Sequence, residues 1–177
     1  TNRGIGFESA IFRKLGQTEV EDQKEGLKVL QNIEWADQDR VGIFGHSYGG
    51  YMTLMCLSKA GTFFKSGAAV APVCDWRLYD SHYTERFMGN PGDNTKAYDE
   101  GNVLTHLPNL KSPLLLIHGM ADDNVLFTHS TMIMDSLQRM AKPFELMVYP
   151  GSKHSMQETH VSIHRFRTIL DFFHRTL

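Results

Sequence analysis

The stretch that decides the fold is residues 41–57, which read VGIFGHSYGGYMTLMCL. Residues 41–44 form a short apolar run that predicts a strand, and residues 51–57 predict a helix. Between them, residues 45–49 match G-x-S-x-G, the sharp strand-to-helix turn called a nucleophile elbow. Glycines are needed in this turn because larger side chains would collide with the neighbouring backbone. The turn lifts the Ser47 hydroxyl to the top of the sheet, near the positive end of the helix. We therefore predict that Ser47 is a nucleophile.

Three further apolar segments predict strands, at residues 67–71, 114–117 and 144–149. Amphipathic segments between and after them predict helices. This alternation is typical of the α/β class, with a mostly parallel sheet and helices on both faces. Residues 72–112 do not fit the alternation and are rich in Tyr, Asp, Asn, Gly and Pro. So long an excursion inside a domain is usually functional.

A nucleophilic serine needs a base, and the base needs an acid that orients it. In α/β-hydrolases the order along the chain is Ser, then Asp or Glu, then His. Asp122 and Asp123 follow the third predicted strand, and His154 follows the fourth. The carboxyl ends of parallel strands meet at one edge of the sheet, so these residues should approach the nucleophile. Spacing alone does not separate Asp122 from Asp123. We assign His118 to the turn after its strand, and the backbone N–H of Tyr48 to the oxyanion site.

Composition narrows the class of the protein. The 177 residues are 41% hydrophobic and 21% charged, as in an ordinary globular domain. Eighteen basic and 20 acidic side chains give a net charge of −2, which offers no electrostatic case for nucleic acid or an anionic membrane. The two cysteines cannot build a disulfide framework, and no metal-binding motif is present, so we expect neither metal nor other cofactor. No apolar run is long enough to cross a bilayer.

Four segments together resemble the catalytic domain of the prolyl oligopeptidase family, in particular its dipeptidyl peptidase IV branch. They are GHSYGGYM (45–52), VAPVCDW (70–76), YDSHYTERFMG (79–89) and HGMADDNV (118–125). The resemblance runs over nearly the whole chain. It implies an α/β-hydrolase serine peptidase that removes dipeptides, with Pro or Ala at the second position, from peptide amino termini through an acyl-enzyme.

The resemblance also implies roles for individual residues. Ser47 would be the nucleophile, Asp122 the orienting acid and His154 the base, which separates Asp122 from Asp123. The residues implied to line a pocket for a proline side chain are Tyr48, Val73, Trp76, Tyr79, Tyr83, Asn124 and Val125. A cage of aromatic faces suits such a compact apolar ring. His46 stands where mammalian members of the branch carry Trp, so we expect the wall behind the nucleophile to differ.

The resemblance implies a longer parent protein. In a complete hydrolase sheet several strands precede the nucleophile strand, so we expect residues 1–177 to be the C-terminal part of the domain. An N-terminal β-propeller that anchors the substrate's amino terminus, and a tyrosine that completes the oxyanion site, would lie upstream. We therefore expect the chain alone to be nearly inactive. We also expect it to be unstable or to self-associate, because the strand at 41–44 would leave an apolar edge bare.

Peptides are the expected substrates, and a homodimer is a further expectation because members of the branch commonly dimerise partly through this domain. A periplasmic or extracellular location is implied for the longer protein, although the sequence itself gives no compartment. Two alternatives stay open. An esterase, acylaminoacyl peptidase or oligopeptidase would share the fold and the triad. A non-catalytic binding module on the same fold would be favoured by loss of a triad residue, and none is lost.

Overall fold

The computed structural model describes residues 2–30 and 32–177. Its central feature is a sheet whose four strands are β1 (Gly42–His46), β2 (Ser66–Val70), β3 (Leu114–Gly119) and β4 (Glu145–Tyr149). The strands lie in the order β1-β2-β3-β4, and each neighbouring pair is parallel. Parallel pairing requires a crossover between strands, and helices fill each crossover. The predicted parallel α/β sheet is confirmed, with strand ends within about two residues of those expected.

Helices account for most of the remaining described residues. The α-helices among them are α1 (Ile5–Glu8), α2 (Thr18–Leu30), α3 (Tyr48–Lys59), α4 (Ser81–Met88), α5 (Thr95–Glu100), α6 (Val103–His106), α7 (Thr128–Arg139) and α8 (Thr159–Thr176). Short 3-10 turns lie at Ser9–Ile11, Trp76–Leu78 and Leu107–Asn109. None of these helices is long and apolar enough to cross a membrane.

Two hydrophobic cores cover the two faces of the sheet. Leu114 and Leu116 of β3 belong to the larger core, which also contains the buried side of α3 and part of α7. Leu115 and Ile117 point the opposite way, into a second core with Phe172 of α8. Side chains alternate between faces along a strand, so a strand covered by helices on both sides must be apolar throughout. The expected helices on both faces are therefore present.

The segment at 72–112 is built of short helices rather than of loop. Two of its polar residues cap helices: Asp80 accepts a hydrogen bond from the N–H of Tyr83 at 2.8 Å, and Asn102 accepts one from the N–H of Leu104 at 2.8 Å. Capping satisfies backbone donors that a short helix leaves free. These polar residues thus serve local folding, and Tyr83 of α4 stacks on Trp76, which also contacts Tyr48 at the start of α3.

Strand β1 lies at one edge of the sheet among the described residues. It has no charged side chain, and Phe44 at its centre is 55% exposed. An apolar edge with free N–H and C=O groups is a template for further pairing.

Candidate active site

Ser47 occupies a strained turn between β1 and α3. Its backbone has a φ of 61° and a ψ of −115°, which is unusual for a residue with a side chain. A Cβ on Gly45 would lie 2.4 Å from the backbone of Gly49, and a Cβ on Gly50 would lie 2.5 Å from the carbonyl oxygen of Val70. The glycines therefore let strand and helix approach closely. The N–H of Ser47 also donates to Val70 at 2.8 Å, which fixes the turn against β2.

The structure brings Ser47, His154 and Asp122 together in one hydrogen-bonded line. His154 Nδ1 lies 2.7 Å from Asp122 Oδ2, and His154 Nε2 lies 2.9 Å from Ser47 Oγ. A carboxylate only accepts, so Nδ1 carries the proton and Nε2 is free to accept the proton of the Ser47 hydroxyl. The Asp122 side chain is fully buried, whereas the His154 side chain is 18% exposed. This is the arrangement of a nucleophile, a base and an orienting acid.

Geometry separates the two adjacent aspartates. Asp122 Oδ1 accepts the backbone N–H of Asn124 at 2.9 Å and of Val125 at 3.0 Å, so the loop closes around this carboxylate. Asp123 points outward and pairs with Lys153 at 2.6 Å. The hydrogen bond and charge of Lys153 lower the pKa of Asp123, which stays a surface carboxylate. The position beside His154 is therefore held by Asp122.

A second histidine contacts the same carboxylate. His118 is fully buried in β3, with Nε2 2.8 Å from the carbonyl oxygen of Val125 and 3.2 Å from Asp122 Oδ2. Both neighbours are acceptors, so Nε2 carries the proton and Nδ1 accepts from the Ser130 hydroxyl at 2.7 Å. Removal from water lowers the pKa of His118, which keeps the ring neutral. The sequence interpretation placed His118 in a turn, but the residue belongs to β3. Its position directly after the apolar run 114–117 was the signal that could have placed it in the strand.

The aromatic residues expected to form a pocket cluster around Trp76. Its ring centroid lies 5.7 Å from that of Tyr48 and 5.9 Å from those of Tyr79 and Tyr83. The Tyr79 hydroxyl donates to Asn124 Oδ1 at 2.5 Å, which joins the segment after β2 to the loop after β3. Such ring pairs gain about 0.5–1.5 kcal/mol beyond their buried area, so the cluster is a stiff apolar wall.

Not every expected pocket residue offers free surface. Val73, Val125 and Trp76 are 2%, 0% and 1% exposed, so they pack behind the wall. Tyr79 and Tyr83 retain partial exposure. Tyr51 also belongs to the cluster, 5.0 Å from Trp76, and the sequence interpretation did not include it.

Glu19 is a further residue of the site that was not assigned a role from the sequence. Its carboxylate accepts the hydroxyl of Tyr48, and its two oxygens also accept the N–H of Gly16 at 3.2 and 3.0 Å. Removal from water and the nearby Glu19 carboxylate raise the pKa of Tyr48. The tyrosine next to the nucleophile is therefore neutral and held by α2.

The start of α3 provides a place for negative charge. Tyr48 is the first residue of this helix, and the first N–H groups of a helix have no partner within it. The helix dipole favours an anion at this end. The N–H of Tyr48 thus lies beside Ser47 where an oxyanion would form. Within residues 2–30 and 32–177, no group of three or more His, Cys, Asp or Glu side chains is arranged to hold a metal ion.

Comparisons with a family model and with curated proteins point to the same family. The model of the prolyl oligopeptidase family matches residues 1–177. Dipeptidyl peptidase 8 of Homo sapiens is 43% identical over 160 residues, which cover 88% of this chain and 18% of that protein. Dipeptidyl peptidase 4 of Bos taurus is 40% identical over 178 residues, which cover 96% of this chain and 23% of that protein.

Solved structures agree with the sequence comparison. The crystal structure of Porphyromonas gingivalis dipeptidyl peptidase 4 superposes with a TM-score of 0.94 at 36% identity. The superposition covers 99% of this chain and 25% of that one. The chain therefore spans between 18% and 25% of the length of these relatives.

Proposed function

This chain belongs to the prolyl oligopeptidase family, and from that premise we propose that the natural polypeptide carrying it is a serine dipeptidyl peptidase. It releases dipeptides, with Pro or Ala at the second position, from peptide amino termini. The observation that carries the proposal is the line from Asp122 through His154 to Ser47, with separations of 2.7 and 2.9 Å.

Each residue of this line has a defined task. Ser47 Oγ attacks the carbonyl carbon of the second substrate residue while its proton passes to His154 Nε2. His154 then returns that proton to the leaving amine, and an acyl-enzyme on Ser47 remains. Water, activated by His154 in the same way, releases the dipeptide. Asp122 keeps the proton of the neutral ring on Nδ1 and stabilises the imidazolium that forms.

Other groups stabilise the oxyanion and bind the proline ring of the substrate. The N–H of Tyr48 donates to the oxyanion, and one donor of this kind is worth about 3–4 kcal/mol of barrier. The partly exposed rings of Tyr79 and Tyr83, backed by the buried Trp76, bury the proline ring, whose small rigid shape loses little entropy on binding. Asn124 lies beside this wall and offers its side-chain amide to the substrate backbone.

Further parts of the natural polypeptide belong to the proposal. Because this chain spans only 23% of Bos taurus dipeptidyl peptidase 4 and 25% of the Porphyromonas gingivalis structure, we assign the anchor for the substrate's amino terminus, a β-propeller and a second oxyanion donor to segments outside it. We also propose a homodimer. Helix α8 supports this, since Ile163, Phe166 and Leu170 on it are 50%, 47% and 56% exposed.

The test is hydrolysis of Gly-Pro-p-nitroanilide by the natural polypeptide, together with labelling by a fluorophosphonate probe. Ser47→Ala should lose labelling and at least about 10³-fold of the rate, because single triad deletions cost this much or more. A Gly-Pro substrate with a blocked amino terminus should be hydrolysed poorly. Equal rates on blocked and free substrates would instead favour an oligopeptidase or esterase, and unchanged activity of Ser47→Ala would exclude Ser47 as the nucleophile.

A further inference from the structure

His46 places a second imidazole directly against His154. Its ring centroid lies 4.8 Å from that of His154, with the planes tilted by 33°. Its Nε2 atom also lies 2.8 Å from the backbone carbonyl oxygen of His154. His46 ends strand β1 next to Ser47, whereas His154 lies in the loop after β4. The contact thus ties together two elements from opposite edges of the described sheet.

The hydrogen bond defines the proton on His46. A carbonyl oxygen only accepts, so Nε2 of His46 must be the donor. The hydroxyl of Ser47 contacts Nε2 of His154, whereas His46 contacts the carbonyl oxygen of His154. The contribution of His46 to the reaction therefore passes through His154.

We propose that His46 is a positioning residue, which holds the His154 loop by donating a hydrogen bond to its carbonyl oxygen. The inference rests on the proposed role of His154 as the base. His154 has two hydrogen bonds through its ring, one to Asp122 and one to Ser47. These bonds set the direction of the ring, and the bond from His46 sets the position of the backbone that carries it. An error of about 1 Å in such a position can cost about 10²-fold in rate.

The charge of His46 matters because His154 becomes positive during the reaction. Partial removal from water and the neighbouring His154 lower the pKa of His46, as does Arg165 of α8, whereas Asp122 and the carbonyl of His154 act in the other direction. His46 is therefore neutral at neutral pH. In acid it gains a proton, and its charge then opposes the imidazolium on His154. The acid limb of kcat/KM should consequently be steeper than in a variant whose residue 46 does not titrate.

Two matched variants separate the hydrogen bond from the ring. His46→Phe keeps an aromatic ring against His154 but has no donor. His46→Gln keeps an N–H donor of similar reach but has no ring and no titration. Each is made in the natural polypeptide, and kcat, KM, the pH profile and the rate of fluorophosphonate labelling at Ser47 are measured. A thermal melt checks folding, which should be retained since the His46 side chain is exposed.

We expect His46→Phe to lower both kcat and the labelling rate by about 3- to 10-fold with little change in KM, the size expected for one hydrogen bond. We expect His46→Gln to stay within about twofold of the wild type above neutral pH and to have the shallower acid limb. Wild-type rates in His46→Phe, or an equal loss in both variants, would overturn the inference. The labelling rate reports activation of Ser47 whatever the peptide substrate. Labelling without dipeptide release would thus contradict the proposed function alone, and absence of labelling in the wild type would overturn both.

Discussion

Replacing Asp122 by Asn tests the centre of the hydrogen-bonded line. Asp122 Oδ1 accepts two backbone N–H groups, those of Asn124 and Val125. In Asp122→Asn the amide oxygen must take this position, because an NH₂ group there would face two donors. The NH₂ group then occupies the place of Oδ2, 2.7 Å from His154 Nδ1. It donates to Nδ1, so the ring proton moves to Nε2, and His154 can no longer accept the proton of Ser47.

The size of the effect follows from this exchange of tautomer. Loss of the correct tautomer in a serine triad costs about 10⁴-fold in kcat, which is about 5 kcal/mol of barrier at about 1.4 kcal/mol per tenfold. The same NH₂ group faces His118 Nε2, 3.2 Å away, which must also change its proton or lose its bond. Leaving one buried donor unpaired costs about 1–3 kcal/mol of folding stability. The activation free energy of the reaction should thus rise by more than the free energy of unfolding falls.

The assay compares Asp122→Asn with Asp123→Asn in the natural polypeptide, using dipeptide nitroanilide hydrolysis and denaturant unfolding. Asp123 is the matched control, because it lies one residue away and only pairs with Lys153 at the surface. A surface pair is worth about 0–1 kcal/mol, so its variant should keep nearly full activity. A loss below tenfold in Asp122→Asn, or an equal loss in Asp123→Asn, would refute the reasoning.

Two further predictions concern the fold around Ser47. Gly45→Ala should destabilise the protein by about 2–3 kcal/mol or more in urea unfolding, because its Cβ meets the Gly49 backbone at 2.4 Å. Gly49→Ala is the control: nothing lies within 4 Å of its added Cβ, so it should unfold near the wild type. The isolated chain should self-associate in light scattering through the apolar edge of β1, and Phe44→Lys should reduce this association. A monomeric isolated chain with a cooperative melt would contradict the last prediction.

Much of the fold could be predicted because its strands have a simple physical signature. Residues 114–117 are a continuous apolar run, which is what a strand covered on both faces requires. The segment at 72–112 has no such signature. Its helices are only four to eight residues long, too short to show periodicity or to be stable alone. They depend on caps such as Asp80 and on packing against the rest of the domain, which a local reading of sequence does not contain.

The sequence indicated which strand ends carry the site, but not which of two adjacent residues at a strand end contributes to it. Ser47 and His154 follow from the elbow and from the end of the fourth strand. Adjacent residues such as Asp122 and Asp123 differ only in how the loop turns, and that turn is set by backbone N–H groups converging on one carboxylate. Likewise, nothing in the sequence indicates that His118, inside a buried strand, contacts this carboxylate.

Asp122 shows how one carboxylate can hold two histidines in different states. His118 is completely buried, and fixed acceptors at Nε2 and the Ser130 hydroxyl at Nδ1 determine its tautomer. His154 shares the same oxygen of Asp122, yet it is partly exposed and its second nitrogen faces the hydroxyl of Ser47. A proton on His118 would place a charge on a completely buried ring, whereas the ring of His154 is in contact with solvent. In the proposed mechanism, the burial of His118 therefore favours His154 as the base, although both histidines lie within hydrogen-bonding distance of Asp122.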